Sequence, residues 1–149
     1  MDYSFLLTPS EISVILRQFL ETSIVSMYQV MIEERFSAAH QLRDTKGQPE
    51  SLHGHNWKVQ AEVVAKTVDE TGLVLDFRKF KEVLQRILVP FEHAYLNEIE
   101  PFDKQNPSSE NIARWIYDRL VEELPDRSVR VVRVIVWESE DAGAAYAAN

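Results

Sequence analysis

Apolar positions recur along this chain with two periods, and the changes of period mark its elements. From Tyr28 to His40, Val30, Ile32, Phe36 and Ala38 alternate with Gln29, Arg35 and Ser37, the spacing of a strand, although Glu34 interrupts the apolar side. Gln41 to Ser51 holds Asp44, Lys46, Gly47 and Pro49 and reads as a loop. A period of two returns from Leu52 to Lys66, with Trp57, Val59, Ala61 and Val63 on one side. Asp69-Glu70-Thr71-Gly72 is a turn, and the short apolar run Leu73-Val74-Leu75 follows it. Asp76 then caps a helix whose stripe is Phe77, Phe80, Leu84, Ile87 and Leu88, ended by Pro90. Phe91 to Gln105 is irregular. Asn106-Pro107 reads as an N-cap with proline at the first helical position. Ile112, Trp115, Ile116, Leu120 and Leu124 give a second amphipathic helix, closed by Pro125. Val129 to Trp137 is a β-branched strand, and a last short strand lies near Ala144 to Tyr146.

The order β-β-α-α-β, with a final β, predicts an α+β domain in which two helices accompany an antiparallel sheet. Ahead of it, Ile12, Ile15, Leu16, Phe19 and Leu20 recur at helical spacing over Ser10 to Thr22. Residues 1–26 are therefore expected to be an extension with its own helix, and residues 27–149 the domain. Met27, where the domain pattern begins, is a second candidate start.

Composition narrows the function classes. The chain has 149 residues, 45% hydrophobic and 27% charged, as in a water-soluble globular domain. A net charge of -8 without any basic run argues against nucleic-acid binding. There is no cysteine, so disulfides, thiolate ligands and a thiolate nucleophile are excluded. No apolar run approaches the roughly 20 residues that span a bilayer. Met1 to Leu7 carries no basic segment or cleavage signal, so the expected compartment is the cytoplasm.

Candidate chemistry concentrates in Leu52-His53-Gly54-His55-Asn56-Trp57. In an extended segment His53 and His55 share one face, a usable metal-ligand pair. His40 ends the preceding strand. Three neutral imidazoles with no fourth protein ligand describe a catalytic zinc site with one position open. Two strand histidines in a polar sheet, with an unrelated third, are the other reading of the same residues.

Six ordered motifs then carry a resemblance. Phe36-Ser37-Ala38-Ala39-His40, Leu52-His53-Gly54-His55, Gly72-Leu73-Val74-Leu75-Asp76-Phe77, Glu92-His93-Ala94-Tyr95-Leu96-Asn97, Pro107-Ser108-Ser109-Glu110-Asn111 and Val136-Trp137-Glu138 are similar to the 6-pyruvoyl-tetrahydropterin synthase family, which includes the 6-carboxytetrahydropterin synthases of queuosine synthesis. The resemblance runs from about Tyr28 to the C-terminus. It implies the tunnelling fold, whose units join their sheets into barrels, commonly trimers paired into hexamers. It implies Zn2+ on His40, His53 and His55, and a pterin substrate anchored by Glu138 through its ring N–H and amino group, with Ser108 and Ser109 nearby. Without the resemblance, Glu138 is an exposed strand-end charge and the two serines satisfy a helix start. It also matches Glu92-His93 to the family's Asp-His proton-transfer pair, with glutamate in the aspartate's place; alone, His93 reads as a loop or core histidine.

One departure bears on the reaction. Relatives commonly carry a cysteine four residues before the His-Gly-His; here that position is Pro49. Glu50-Ser51-Leu52-His53-Gly54-His55 instead resembles a branch that uses a glutamate base to cleave 7,8-dihydroneopterin triphosphate to 6-hydroxymethyl-7,8-dihydropterin, a folate precursor. The resemblance thus implies a zinc-dependent pterin lyase with Glu50 as base. The alternatives are a 6-carboxytetrahydropterin or 6-pyruvoyltetrahydropterin synthase with an altered base, or a catalytically silent pterin-binding module. On composition alone Glu50 is a solvated loop charge.

Overall fold

The computed structural model describes residues 26–43, 47–124 and 128–148. The helix expected over Ser10 to Thr22, loop residues Asp44 and Lys46, and Pro125 lie outside the described residues.

Two long strands form the backbone of the sheet. β1 (Tyr28–His40) and β2 (His53–Ala65) pair antiparallel along their whole length, from Tyr28 opposite Ala65 to His40 opposite His53. β4 (Arg130–Trp137) lies on the other side of β2, and β5 (Gly143–Tyr146) pairs antiparallel with β4. The two helices, α1 (Phe77–Leu88) and α2 (Ser109–Glu123), cover one face. The order β-β-α-α-β-β is the one expected of an α+β tunnelling fold. A fifth strand, β3 (Ala94–Tyr95), is added beside β1, so the sheet runs β3-β1-β2-β4-β5.

The core follows from strand parity. Ile32, Phe36 and Ala38 of β1 and Trp57, Val59, Ala61 and Val63 of β2 are buried toward the helices, as are Val134 and Val136 of β4. They meet Phe80, Val83, Leu84, Ile87 and Leu88 of α1 and Ile112, Ile116 and Leu120 of α2. Glu34, which interrupts the apolar side of β1, is accommodated by a lysine of α1: Lys81 Nζ lies 3.4 Å from its carboxylate.

Several expectations are corrected. Phe77, the first residue of α1, stays exposed at the helix end, and Val83 takes its place in the stripe. β3 runs parallel to β1, and Leu96–Glu98 forms a 3-10 turn, in a stretch expected to be irregular; two paired residues are too few to leave a periodic signal. The cap of α2 is Ser108 rather than Asn106: Ser108 Oγ accepts from Asn111 N–H. The side chain of Asn106 is engaged elsewhere, accepting from Arg43 N–H at 2.7 Å and donating to Arg43 C=O at 3.0 Å.

The face of the sheet without helices is polar, yet it buries one charge. Glu62 is 1% exposed. Its carboxylate accepts from Gln29 (2.6 Å), Gln60 (2.8 Å) and Arg133 (2.6 and 3.2 Å). A buried carboxylate needs its cation more than it profits from the pair. Arg133→Ala should therefore cost about 3–5 kcal/mol, read as a lower urea midpoint at unchanged slope. Joint replacement of Glu62 and Arg133 by Met should recover most of the loss. An unchanged midpoint in Arg133→Ala would show that the two glutamines alone satisfy Glu62.

Candidate metal centre

The hairpin register creates the centre. His40 lies opposite His53, and Ala38 opposite His55. His53 and His55 share the parity of Trp57 and Val59, and His40 that of Phe36 and Ala38, so all three imidazoles emerge on the helix side at one end of the sheet. Trp57, fully buried, is their floor: its ring centroid is 4.8 Å from His40 and 5.4 Å from His55, and its indole N–H donates to Ala38 C=O at 3.2 Å.

Two backbone carbonyls define the tautomers. His40 Nδ1 lies 2.9 Å from Pro107 C=O, and His53 Nδ1 2.7 Å from Ser51 C=O. A carbonyl only accepts, so both Nδ1 atoms carry the proton and both neutral rings present a bare Nε2. Those Nε2 atoms face one another at 3.0 Å with no proton between them. Burial, the largest influence, holds the pKa of His40 below its ordinary value against the opposing pull of Pro107 and Glu138. A metal ion relieves this opposition of lone pairs without charging a buried ring.

The rest of the cluster fits the same occupant. His55 Nε2 is buried and lacks a hydrogen bond, although Glu138 Oε1 is 3.0 Å away; the contact is close but not aligned as one. Glu138 Oε1 is 3.8 Å from Nε2 of both His40 and His53, and one ligand atom from each of the four residues lies within 4.8 Å of the others. Tetrahedral bonds of about 2.0–2.1 Å to zinc separate the ligand atoms by about 3.3 Å, a value that lies between the 3.0 Å separating the Nε2 atoms of His40 and His53 and the 3.8 Å from His40 Nε2 to Glu138 Oε1. The resemblance implies a substrate role alone for Glu138; the structure also brings it to the candidate metal ligands. Its other oxygen, Oε2, accepts from Ser109 Oγ at 3.4 Å. Ser109 and Glu138 border a recess of about 280 Å³ beside Leu42 and Ala144.

Glu50 sits at the edge of the cluster. Its Oε1 is 3.9 Å from His53 Nε2, and its Oε2 is buried without a hydrogen-bond partner among the described residues. The loop is tied so as to hold it there. Glu50 N–H donates to Leu42 C=O at 3.0 Å, and Gln41 Nε2 donates to Glu50 C=O at 2.5 Å. Gln41 is in turn clasped by the buried Asn97, which accepts from its backbone N–H (2.9 Å) and donates to its carbonyl (2.7 Å), while Tyr95 Oη donates to its side chain at 3.3 Å. Sequence reasoning missed Gln41 and Asn97 as supports; the available signal was the motif that ends at Asn97.

Glu92 and His93 stand apart in the single chain. His93 Nε2 lies 3.2 Å from Glu92 Oε1, its side chain is 81% exposed, and its φ of 55° is held by its N–H donating to Ser37 C=O at 2.6 Å. It borders a recess of about 380 Å³ lined by Ser37, Ala39, Gly54 and Asn56, positions that alternate with the histidines, and that recess meets the cluster only at His55.

Known proteins share this arrangement of fold and sequence. The family model described as 6-pyruvoyl tetrahydropterin synthase matches residues 29–149. A dihydroneopterin monophosphate aldolase of Pyrococcus furiosus is 34% identical over 115 residues, 77% of this chain and 93% of the relative. A 6-carboxy-5,6,7,8-tetrahydropterin synthase of Synechocystis is 36% identical over 101 residues, 64% of this chain and 77% of the relative. The structure of Caenorhabditis elegans 6-pyruvoyl tetrahydropterin synthase superposes with a TM-score of 0.72 at 25% identity, over 83% of this chain and 97% of that one. The chain is thus a lyase-type enzyme that belongs to the 6-pyruvoyl tetrahydropterin synthase family.

Proposed function

We propose that this enzyme cleaves the side chain of a phosphorylated dihydroneopterin, 7,8-dihydroneopterin triphosphate in the first instance, to 6-hydroxymethyl-7,8-dihydropterin, with Glu50 as the base. The observation that carries this reading is the Glu50 carboxylate, 3.9 Å from His53 Nε2 in a chain that has no cysteine. A carboxylate beside the metal ligands is a reasonable base for a substrate hydroxyl in a retro-aldol-type step. The aldolase of Pyrococcus furiosus, named for the monophosphate, supports carbon–carbon cleavage of such a compound.

In this reading Glu50 takes the proton of the 2′-hydroxyl. The C1′–C2′ bond breaks, C2′ leaves as the aldehyde of the phosphorylated two-carbon fragment, and the electron pair passes through C1′ into the ring imine. The Glu50 carboxyl then returns the proton to C1′, which completes the hydroxymethyl group. His40, His53 and His55 would hold zinc, whose nitrogen-donor preference they meet, and zinc when bound supplies Lewis-acid stabilisation of charge developing on the substrate oxygen. Glu138 and Ser109 orient the pterin: a carboxylate accepts the ring N–H and amino group in parallel. Ser108 serves the helix start beside that recess.

Replacing Glu50 by Gln or Ala should leave metal content and pterin affinity intact and lower turnover by roughly 10²–10⁴, with product identified by mass. Unchanged formation of 6-hydroxymethyl-7,8-dihydropterin in both variants would remove Glu50 from the mechanism. A 6-carboxytetrahydropterin product from the native chain would establish the synthase reading that the Synechocystis relative suggests, and binding without any product the silent module.

Glu138→Gln separates the two assignments of that residue. As a pterin anchor it should weaken pterin binding by about 1.5–3 kcal/mol by calorimetry with metal content unchanged. Loss of metal from the variant would make Glu138 a ligand instead.

A homo-oligomer, a hexamer built as a dimer of trimers, is proposed with this activity. β3 and β5 leave edges that joining sheets would pair, and the exposed Glu92–His93 pair would then serve proton transfer in an adjoining copy. Light scattering should give a multiple of three chains; a monomer at micromolar concentration would overturn this.

A further inference from the structure

Among the described residues, two carboxylates border the three imidazoles, and they meet them differently. Glu50 approaches a single ring nitrogen, His53 Nε2 at 3.9 Å. Glu138 sends one atom, Oε1, toward all three: it is 3.0 Å from His55 Nε2 and 3.8 Å from Nε2 of His40 and of His53. The contact with His55 is not aligned as a hydrogen bond, so no shared proton holds the oxygen there. The Nε2 atoms of His40 and His53 are bare. A carboxylate oxygen turned toward bare nitrogens is repelled unless a cation lies between them. Three nitrogens and this oxygen are a donor set for a four-coordinate ion, and Oε1 stands where three histidines alone would leave a position open.

The same carboxylate is the pterin anchor of the reading above, and that role takes both its oxygens, one for the ring N–H and one for the amino group. With Oε1 turned into the nitrogen cluster, that pairing cannot form. The amino edge of a pterin and its side chain also lie at opposite ends of two fused rings. A carboxylate among the metal ligands therefore cannot meet the far edge of a ring whose side chain reaches the same metal. The two roles exclude each other in one conformation. The side chain can alternate between them without moving its strand. Its backbone is pinned: Glu138 N–H donates to Ala142 C=O at 3.0 Å, and Trp137 pairs with Gly143. Its carboxylate is held loosely: the side chain is 34% exposed, and the bond from Ser109 Oγ is long at 3.4 Å. Ser109 borders the recess of about 280 Å³, so rotation toward that serine carries the carboxylate out of the cluster.

We propose that Glu138 is the fourth metal ligand of the substrate-free enzyme and that pterin binding draws it off. The inference rests on the reading of Glu138 as the pterin anchor. Without substrate the centre is closed by four protein donors, as structural sites are. The ring N–H and amino group of an arriving pterin compete for the carboxylate, and Glu138 leaves the fourth position to the other end of the same molecule. Glu138 is thus a two-state element whose populations the ligand shifts. The centre opens only when a pterin is seated, and small ligands are otherwise kept from it.

The test is access to the metal. The full chain is loaded with Co2+, whose visible spectrum reports its ligands, and titrated with imidazole above its own pKa, a neutral probe that does not respond to the loss of a charge. Glu138→Gln should keep its cobalt on the three histidines and bind imidazole about tenfold or more tightly than the native protein. A competing side chain that fills the position about nine-tenths of the time lowers apparent affinity by that factor. Pterin lacking a side chain, which engages the anchor without reaching the metal, should raise the imidazole affinity of the native protein by a similar factor and leave that of Glu138→Gln unchanged. Its own binding is followed by fluorescence. Equal imidazole affinity in the native protein and Glu138→Gln would overturn the proposal. Loss of cobalt from the variant would show the ligand outright, and the response of the native protein to pterin would then decide the release. If imidazole distinguishes the two proteins but pterin fails to bind or changes nothing, the ligand stands and the anchor reading of Glu138 falls.

Discussion

A strand pair with a side-chain period of two leaves no freedom in where its histidines go: with His40 opposite His53, three imidazoles meet on the helix side, and a slip of one residue would turn His53 and His55 to the other face. The register is held by what the same parity buries. Trp57, Val59, Ala61 and Val63 are all fully buried on the histidines' side, so a slip would expose the whole apolar set at once. Val59 and Val63 each contribute roughly 1.5–3 kcal/mol when buried. The apolar core therefore enforces the close approach of two bare imidazole nitrogens, which by itself is unfavourable.

The loop between the two strands is organised by polar bonds instead. Gln41 and Asn97 are far apart in sequence, and their mutual hydrogen bonds tie the loop to the 3-10 turn that follows β3. The centre thus combines a rigid floor of strand residues with a side wall whose position depends on a few directional bonds. Its polar atoms fall into two sets. Nδ1 of His40 and of His53, which point away from the cluster, meet backbone carbonyls, whereas His55 Nε2, which points into it, has no hydrogen bond among the described residues. A buried imidazole nitrogen left unsatisfied beside two bare ring nitrogens and a carboxylate is the donor set a metal ion suits.

How much of this was legible in the sequence depends on the range of the interaction. Strand parity is local, so the common face of His53 and His55 could be read from their spacing, and the two long strands were read within a residue or two of their ends. Asp76 as a cap was equally local. Caps with two local candidates were not decidable: Asn106 and Ser108 both suit a helix start, and the choice was made by Arg43, more than sixty residues away in sequence. The Gln41–Asn97 clasp was invisible for the same reason. β3 escaped because a two-residue strand has no period. Glu138 was read through its resemblance as a substrate contact, and its approach to His55 follows from where β4 ends relative to β2, a tertiary fact that spacing along one strand does not contain.

Because Glu50 is fixed through its backbone N–H and carbonyl, bonded to Leu42 and Gln41, nothing in its anchorage depends on which side chain it carries. The hairpin that gathers the histidines and the clasp that holds the loop are separate constructions. The side chain at that loop position can accordingly be exchanged by substitution without rebuilding either one. What position 50 presents to His53 is thus decoupled from what holds position 50 in place.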